Sequence, residues 1–344
     1  MTAEVAGKDP AEGTGAPDRG AAGGTVRYPR RSRIDPFGLF PVVLLGAIVA
    51  AIVVLQPSLA TASFLETKTN AAVSLILVTM GQTLVILTGG IDLSVGGVIS
   101  VTNALAATQM HDDPVSIVLW SVLIALFGLG AGLINGFIVA VMRVTPFIAT
   151  LATWSIWSGA ALLVLEQDGG RVAPGFRAIV RTHAGPIPGS LLIIIGLVVI
   201  WVLLKRSRLG ARIYAVGSDA RAAARSGAQV RRTLFVVYGL SGLLAAMAGL
   251  YRVVQVGSGS PVAGDGFILT SVAAVLIGGT SLAGGRGGFG MSLTGVLILL
   301  SLNDLIFFAG VSTFYTPMVQ GALLVAAVAI NAVGYRLSLR RAQT

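Results

Sequence analysis

Apolar runs long enough to cross a bilayer recur along nearly the whole chain, and few of them carry a charge. In hydrocarbon only a structure that closes its own backbone hydrogen bonds survives, and for a helix each crossing takes about twenty such residues. Runs at 37–55, 71–88, 91–110, 115–142, 147–165, 189–205, 233–254, 267–282, 288–309 and 314–333 meet that requirement. They predict an all-α, polytopic transmembrane bundle of ten helices. Charged residues make up 11% of the chain, against about 25% in soluble domains. The 45 glycines fit closely packed membrane helices.

The formal charge of +10 would suggest nucleic acid in a soluble protein, but its placement gives a better explanation. An even number of crossings puts both termini on one side, and nineteen of the 24 basic residues then fall there. They include Arg27, Arg30, Arg31 and Arg33 before the first run, eight residues in the 205–232 connection, and Arg336, Arg340 and Arg341 at the end. The positive-inside bias makes that side the cytoplasm of a multi-pass membrane protein, with no nucleic-acid partner. Residues 1–36 read as a disordered basic tail, 37–333 as the membrane domain and 334–344 as a second short tail. The chain has no cysteine, which rules out disulfides and thiolate chemistry.

Residues 88–97 read TGGIDLSVGG, an acid flanked by two glycine pairs. Irregular backbone and a carboxylate are tolerated at membrane depth only inside protein or beside water. Asp92 is therefore either a helix cap, accepting from the first free amides of the helix that follows Ser94, or an element of a polar path or gate. A shorter echo with serine in place of the acid, GGTSLAGG, occupies 278–285.

The connection KRSRLGARIYAVGSDARAAARSGAQVRR at 205–232 is longer than most. Asp219 can cap a short helix over Ala220–Arg225 that stops at Gly227. The segment is either a positive anchor or a docking element for a cytoplasmic partner.

Four blocks in order, TLVILTGGIDLSVGG at 83–97, PFIATLATWSIWSGAALL at 146–163, LGARIYAVGSDARAAARSGAQVRR at 209–232 and AAVLIGGTSLAGGRGG at 273–288, carry a resemblance. Over residues 37–333 the chain resembles the ribose/xylose-type permease subunits of bacterial ABC importers. That resemblance implies a homodimeric pathway for a monosaccharide or related polyol, an extracytoplasmic substrate-binding protein and an ATP-binding cassette subunit. ATP and magnesium would sit on the cassette, with no cofactor on this chain. It also implies that Leu209, Gly210, Tyr214, Gly217, Asp219, Arg221, Arg225 and Gly227 form the ATPase-coupling segment.

Neutral sugars need hydroxyl and amide partners. Asp92, Ser94, Gln82, Asn103, Asn135 and Thr153, with Asn303 and Asp304 in the ninth segment, are therefore the pathway candidates, although polar side chains in bundles also bridge helices. Arg252 is a conceivable counter-ion for Asp304. Gly128, Gly132 and Gly136 recur every four residues and predict a smooth packing face.

Other classes fit poorly. Gly239-Leu240-Ser241-Gly242 mimics an intramembrane protease serine, but His111 and His183 fall in outer loops. None of the three lysines sits in a phosphate loop, so energy comes from another chain or a gradient. A gradient-driven secondary transporter using Asp92 and Asp304 is the alternative.

Overall fold

The protein is described by a computed structural model in which residues 36–56, 61–326 and 329 are placed. The expected tails, apart from Pro36, and the last turn of the tenth segment lie outside these residues; Pro36 opens the first helix.

Helices form where apolar runs predict them, and local signals set their starts. They are α1 (Pro36–Leu55), α2 (Ala62–Leu87), α3 (Val95–Gln109), α4 (Pro114–Ala140), α5 (Pro146–Val164), α6 (Pro174–Val180), α7 (Gly189–Arg206), α8 (Arg208–Ser218), α9 (Ala220–Arg225), α10 (Val230–Val256), α11 (Asp265–Ile277) and α12 (Phe289–Phe308). A final helix, α13, covers Thr316–Ala326. One two-stranded hairpin pairs His183–Ala184 with Ile187–Pro188 ahead of α7. Prolines occupy the first turn of α4 and α5, where the missing amide costs nothing, and Asp113 Oδ1 accepts from Ser116 N at 2.8 Å. Gly257, at φ +94, ends α10 in the left-handed conformation that glycine adopts without strain.

The ten-helix expectation holds in part. Among the described residues, six helices are long and apolar enough to cross a bilayer: α2 from Ser63, α4, α5, α7, α10 and α12. The apolar stretches Leu39–Leu55, Asp265–Ile277 and Thr316–Ala326 are shorter. α3, with 15 residues, reaches about 22 Å at 1.5 Å per residue, short of a hydrocarbon core of about 30 Å. It starts at Val95, four residues later than its apolar run, because residues 88–94 turn rather than coil. The 205–232 segment is also corrected. It contains two helices, α8 and α9, and its ends belong to α7 and α10.

α2 is the axis of the bundle. It is apolar all round and buried along most of its length, packed by α7, α10, α11 and α12. α10 lies antiparallel between α2 and α4, and α3 packs against α5 and α10. α4, α5 and α7 have largely exposed outer faces, which carry Val118, Leu119, Ile156, Leu163, Val199 and Leu203, a surface suited to lipid.

The glycine face of α4 meets α10 directly. A methyl group added at Gly132 would collide with the Tyr238 carbonyl oxygen, and one at Gly136 would sit 3.0 Å from Phe235 Cα. One at Gly128 would strike Ala246. Gly242 answers from α10, where a methyl would strike the Gly128 carbonyl oxygen. Gly130, on the same helix, faces open space. Gly132→Ala should therefore overpack the α4–α10 contact and cost about 1–3 kcal/mol. Thermal unfolding of the purified protein should show a clear loss for Gly132→Ala and none for Gly130→Ala.

Candidate functional site

The break after α2 is built around a buried carboxylate. α2 ends with amides of Thr88 and Gly90 donating to the Val85 carbonyl and that of Gly89 to Ile86, and Gly89 takes φ +82. The chain then brings Asp92 into full burial. Asp92 Oδ1 accepts from Ser94 N at 3.0 Å and Ser94 Oγ at 2.5 Å, and Oδ2 accepts from Ser241 Oγ on α10 at 2.8 Å. Ser94 Oγ in turn accepts from Asn135 Nδ2 on α4 at 2.7 Å, and Asn135 Oδ1 accepts from Thr153 Oγ1 on α5 at 2.8 Å. The Gln82 amide of α2 pairs with the backbone of Asp92, donating to its carbonyl at 3.1 Å and accepting from its amide at 3.3 Å. Thr150 Oγ1 donates to the Ile91 carbonyl at 3.1 Å.

Five of the eight pathway candidates, Gln82, Asp92, Ser94, Asn135 and Thr153, thus form one network joining α2, α4, α5 and α10 to the break. Asp92 does not cap α3, which has no side-chain cap; it accepts the amide of Ser94 just ahead of the helix, and its other donors are side-chain hydroxyls. Among the described residues no cation pairs with it. Ser241, read in the sequence only as a protease-like motif, is the partner that pattern did not mark, because it lies 149 residues away.

The remaining candidates are elsewhere. Asn103 lines a cavity of about 590 Å³ at the end of the bundle opposite α8 and α9. Asp304 pairs with Lys68 of α2, which corrects the expected Arg252 partnership. It lies four residues from the end of α12. Asn303 Oδ1 accepts from Gln320 Nε2 of α13 at 3.1 Å. A second cavity of about 260 Å³ lies at the α8–α9 end, against Gly90, Ile91, Pro146 and Leu282. Asp92, Ser94, Asn135 and Thr153 line neither cavity.

The second glycine motif closes onto the first. α11 ends as α2 does, with Gly279 at φ +94 and Thr280 N donating to the Val275 carbonyl. Gly285 N then donates to the Leu87 carbonyl at 3.0 Å, so the two breaks are hydrogen-bonded to each other. α8 docks on this junction. Its Leu209, Ile213 and Val216 face the bundle, and Tyr214 Oη donates to the Gly287 carbonyl at 2.8 Å. Burial pushes the Tyr214 phenol above its ordinary value, so it keeps its proton as donor. Gly217 rests against the Leu87 carbonyl oxygen and Gly285 N, where no Cβ fits, and Gly210 lies close against the Leu204 carbonyl at the α7–α8 elbow.

α9 follows as the sequence suggested. Asp219 Oδ1 accepts from Arg221 N at 2.8 Å and Ala222 N at 3.0 Å, and Gly227 takes φ +84. Arg221 and Arg225, one turn apart, are exposed. Neither forms an ion pair among the described residues.

Comparison with known proteins places these features in a family. Residues 64–328 match the family described as branched-chain amino acid transport system / permease component. The ribose import permease of Bacillus subtilis (strain 168) is 37% identical over 309 residues, covering 87% of this chain and 92% of the relative. That of Escherichia coli (strain K12) is 36% identical over 303 residues, 84% of this chain and 92% of the relative. The D-allose transport system permease of the same strain is 33% identical over 308 residues, 86% and 91%. No solved structure matches the chain.

Removing the Asp92 carboxylate strands the Ser94 and Ser241 donors in the interior, each at about 1–3 kcal/mol where no new partner is found. Asp92→Asn keeps the shape and most partners, since a hydroxyl can accept as well as donate. Denaturation of the purified protein should show a large loss of stability for Asp92→Ala and a small one for Asp92→Asn.

Proposed function

The chain belongs to this family of transport-system permease components, and we propose that it is the membrane subunit of an ATP-driven importer carrying a monosaccharide or related polyol. The observation that carries the reading is α8, an amphipathic helix outside the spans whose Tyr214 and Gly217 are latched to the backbone where both glycine breaks meet. A force applied to α8 and α9 is thereby delivered to the ends of α2 and α11 and to the start of α12. Two copies enclose the pathway in the inner membrane, with α8, α9 and both termini in the cytoplasm. This orientation is supported by the basic residues Arg143, Arg206, Arg208, Arg212, Arg221, Arg225 and Arg286 at one end of the bundle.

The cassette partner binds ATP and magnesium and presses on the exposed face of α9 through Arg221 and Arg225. A binding protein delivers substrate at the opposite end. The sugar class is supported by ribose and allose in the names of the similar permeases and by the amide- and hydroxyl-bearing residues inside the bundle. Asp92 acts as a gate element in this cycle. Its network ties the break to α4, α5 and α10, so those helices part only if several hydrogen bonds exchange together.

Reconstitution tests the reading. Vesicles holding the permease, its cassette and its binding protein should accumulate D-ribose or D-allose on adding ATP, and an uncoupler should leave uptake intact. Charge reversal at Arg221 and Arg225 together should lower uptake per ATP hydrolysed by about tenfold, equivalent to about 1.4 kcal/mol of lost coupling. Uptake that persists without the cassette and collapses with an uncoupler would instead establish a gradient-driven carrier.

A further inference from the structure

The larger cavity is walled by polar side chains, of which Asn103, Gln255 and Thr270 also hydrogen-bond within the fold while Asp168 and Arg252 have no ion-pair partner among the described residues. At about 590 Å³ it falls within the range of roughly 300–1,000 Å³ usual for small-molecule sites. Its polar wall is made by Asn103 of α3, Asp168, Arg252 and Gln255 of α10, and Thr270 of α11, with the ring of Phe267 beside them. The Arg252 guanidinium lies 5.9 Å from the centre of that ring and gives Nη1 to Gln255 Oε1 at 2.7 Å. Neither Arg252 nor Asp168 forms an ion pair among the described residues, although both line the same cavity.

The walls are also held in place. Gly169 and Gly259 exchange backbone hydrogen bonds at 3.0 and 2.7 Å, which ties the loop bearing Asp168 to the loop bearing Ser258 and Ser260. A methyl at Gly259 would sit 2.5 Å from Ala107 Cβ, so glycine is required for that approach. Asn103 Oδ1 accepts from Ser260 N at 2.7 Å and Ser100 Oγ from Gly264 N at 3.0 Å, fixing the second loop to α3. The Gln255 amide donates to the Asn70 carbonyl at 2.9 Å. Such bracing removes ordering cost from binding.

We propose that this cavity is a polyol-recognition site of the permease itself, in which Arg252 and Asp168 bind vicinal hydroxyls and Phe267 packs against the sugar ring. A sugar entering such a cavity gives up water at every hydroxyl and needs a partner for each. Planar guanidinium and carboxylate groups can each meet two neighbouring hydroxyls at once, and an aromatic ring takes the apolar C–H face. A zwitterionic amino acid could also pair with Arg252 and Asp168; the sugar class is favoured by the sugars named in the similar permeases, and leucine serves below as the competing class. The proposal rests on the sugar-importer reading and adds a substrate site on the permease to it.

The chain has no cysteine, so a single introduced thiol reports without background from this subunit. In vesicles of the assembled transporter, Ser258→Cys and Thr270→Cys are labelled with a membrane-impermeant maleimide, with and without D-ribose, D-allose or methyl galactoside, and with L-leucine as the other class. A sugar at ten times its dissociation constant leaves about one site in eleven free, so labelling should slow roughly tenfold. Leucine should have no effect, and Arg252→Gln should remove the protection. If neither thiol is protected in a preparation that transports one of these sugars, or if protection survives Arg252→Gln, the cavity assignment is overturned and the importer reading stands. A preparation that carries leucine and none of the sugars overturns both.

Discussion

Backbone that leaves the helical path inside an apolar bundle must find partners for its amides and carbonyls, and the rest of this architecture follows from how that demand is met. At residues 88–94 it is met by Gln82, which hydrogen-bonds the backbone of Asp92, by Thr150 at the Ile91 carbonyl, and by the Asp92 carboxylate at Ser94 N. At 278–288 it is met by Thr280, which accepts from Gly288 N at 3.1 Å, and by Leu87, whose carbonyl takes Gly285 N. Each break therefore supports the other, and neither can shift alone.

This arrangement explains why short helices persist among long ones. α3 and α11 do not reach across a bilayer by length, yet α3 is largely buried between α5 and α10, and the second half of α11 is buried against α2 and α12. Their exposed ends create irregular backbone within the bundle, where lipid cannot reach it. The price is glycine: at Gly96 a methyl would press on Ile268, and at Gly97 it would meet Trp157 Cβ at 2.7 Å. Close approach of α3 to α5 and α11 depends on their absence of side chains.

Much of this was legible in the sequence because bilayer thickness writes itself into run length. The positions of the apolar helices, the Asp219 cap and the packing face of Gly128, Gly132 and Gly136 follow from local patterns. Boundaries were less legible. α2 begins nine residues before its apolar run because Ser63, Glu66 and Lys68 coil ahead of it, and α3 begins late because its cap is a loop. α8 was missed as a helix because Gly210 and Gly217, poor helix formers, interrupt its amphipathic pattern. Contacts between distant segments were not legible at all. Ser241 with Asp92, Lys68 with Asp304, Gly285 with Leu87 and the pairing of Gly169 with Gly259 are products of packing, and no local pattern encodes them.

The account reduces to a rigid link from α8 to the two breaks, and Gly217 is where that link is tightest. Gly217→Ala places a methyl against the Leu87 carbonyl and Gly285 N, whereas Gly290→Ala, in the first turn of α12, meets open space. Overpacking of about 1–3 kcal/mol at the link should lower substrate carried per ATP hydrolysed by about tenfold or more in Gly217→Ala vesicles. The Gly290→Ala transporter should behave as the unaltered one. An unchanged ratio for Gly217→Ala, in protein that assembles normally with its cassette, would contradict the claim that motion enters the bundle through this contact.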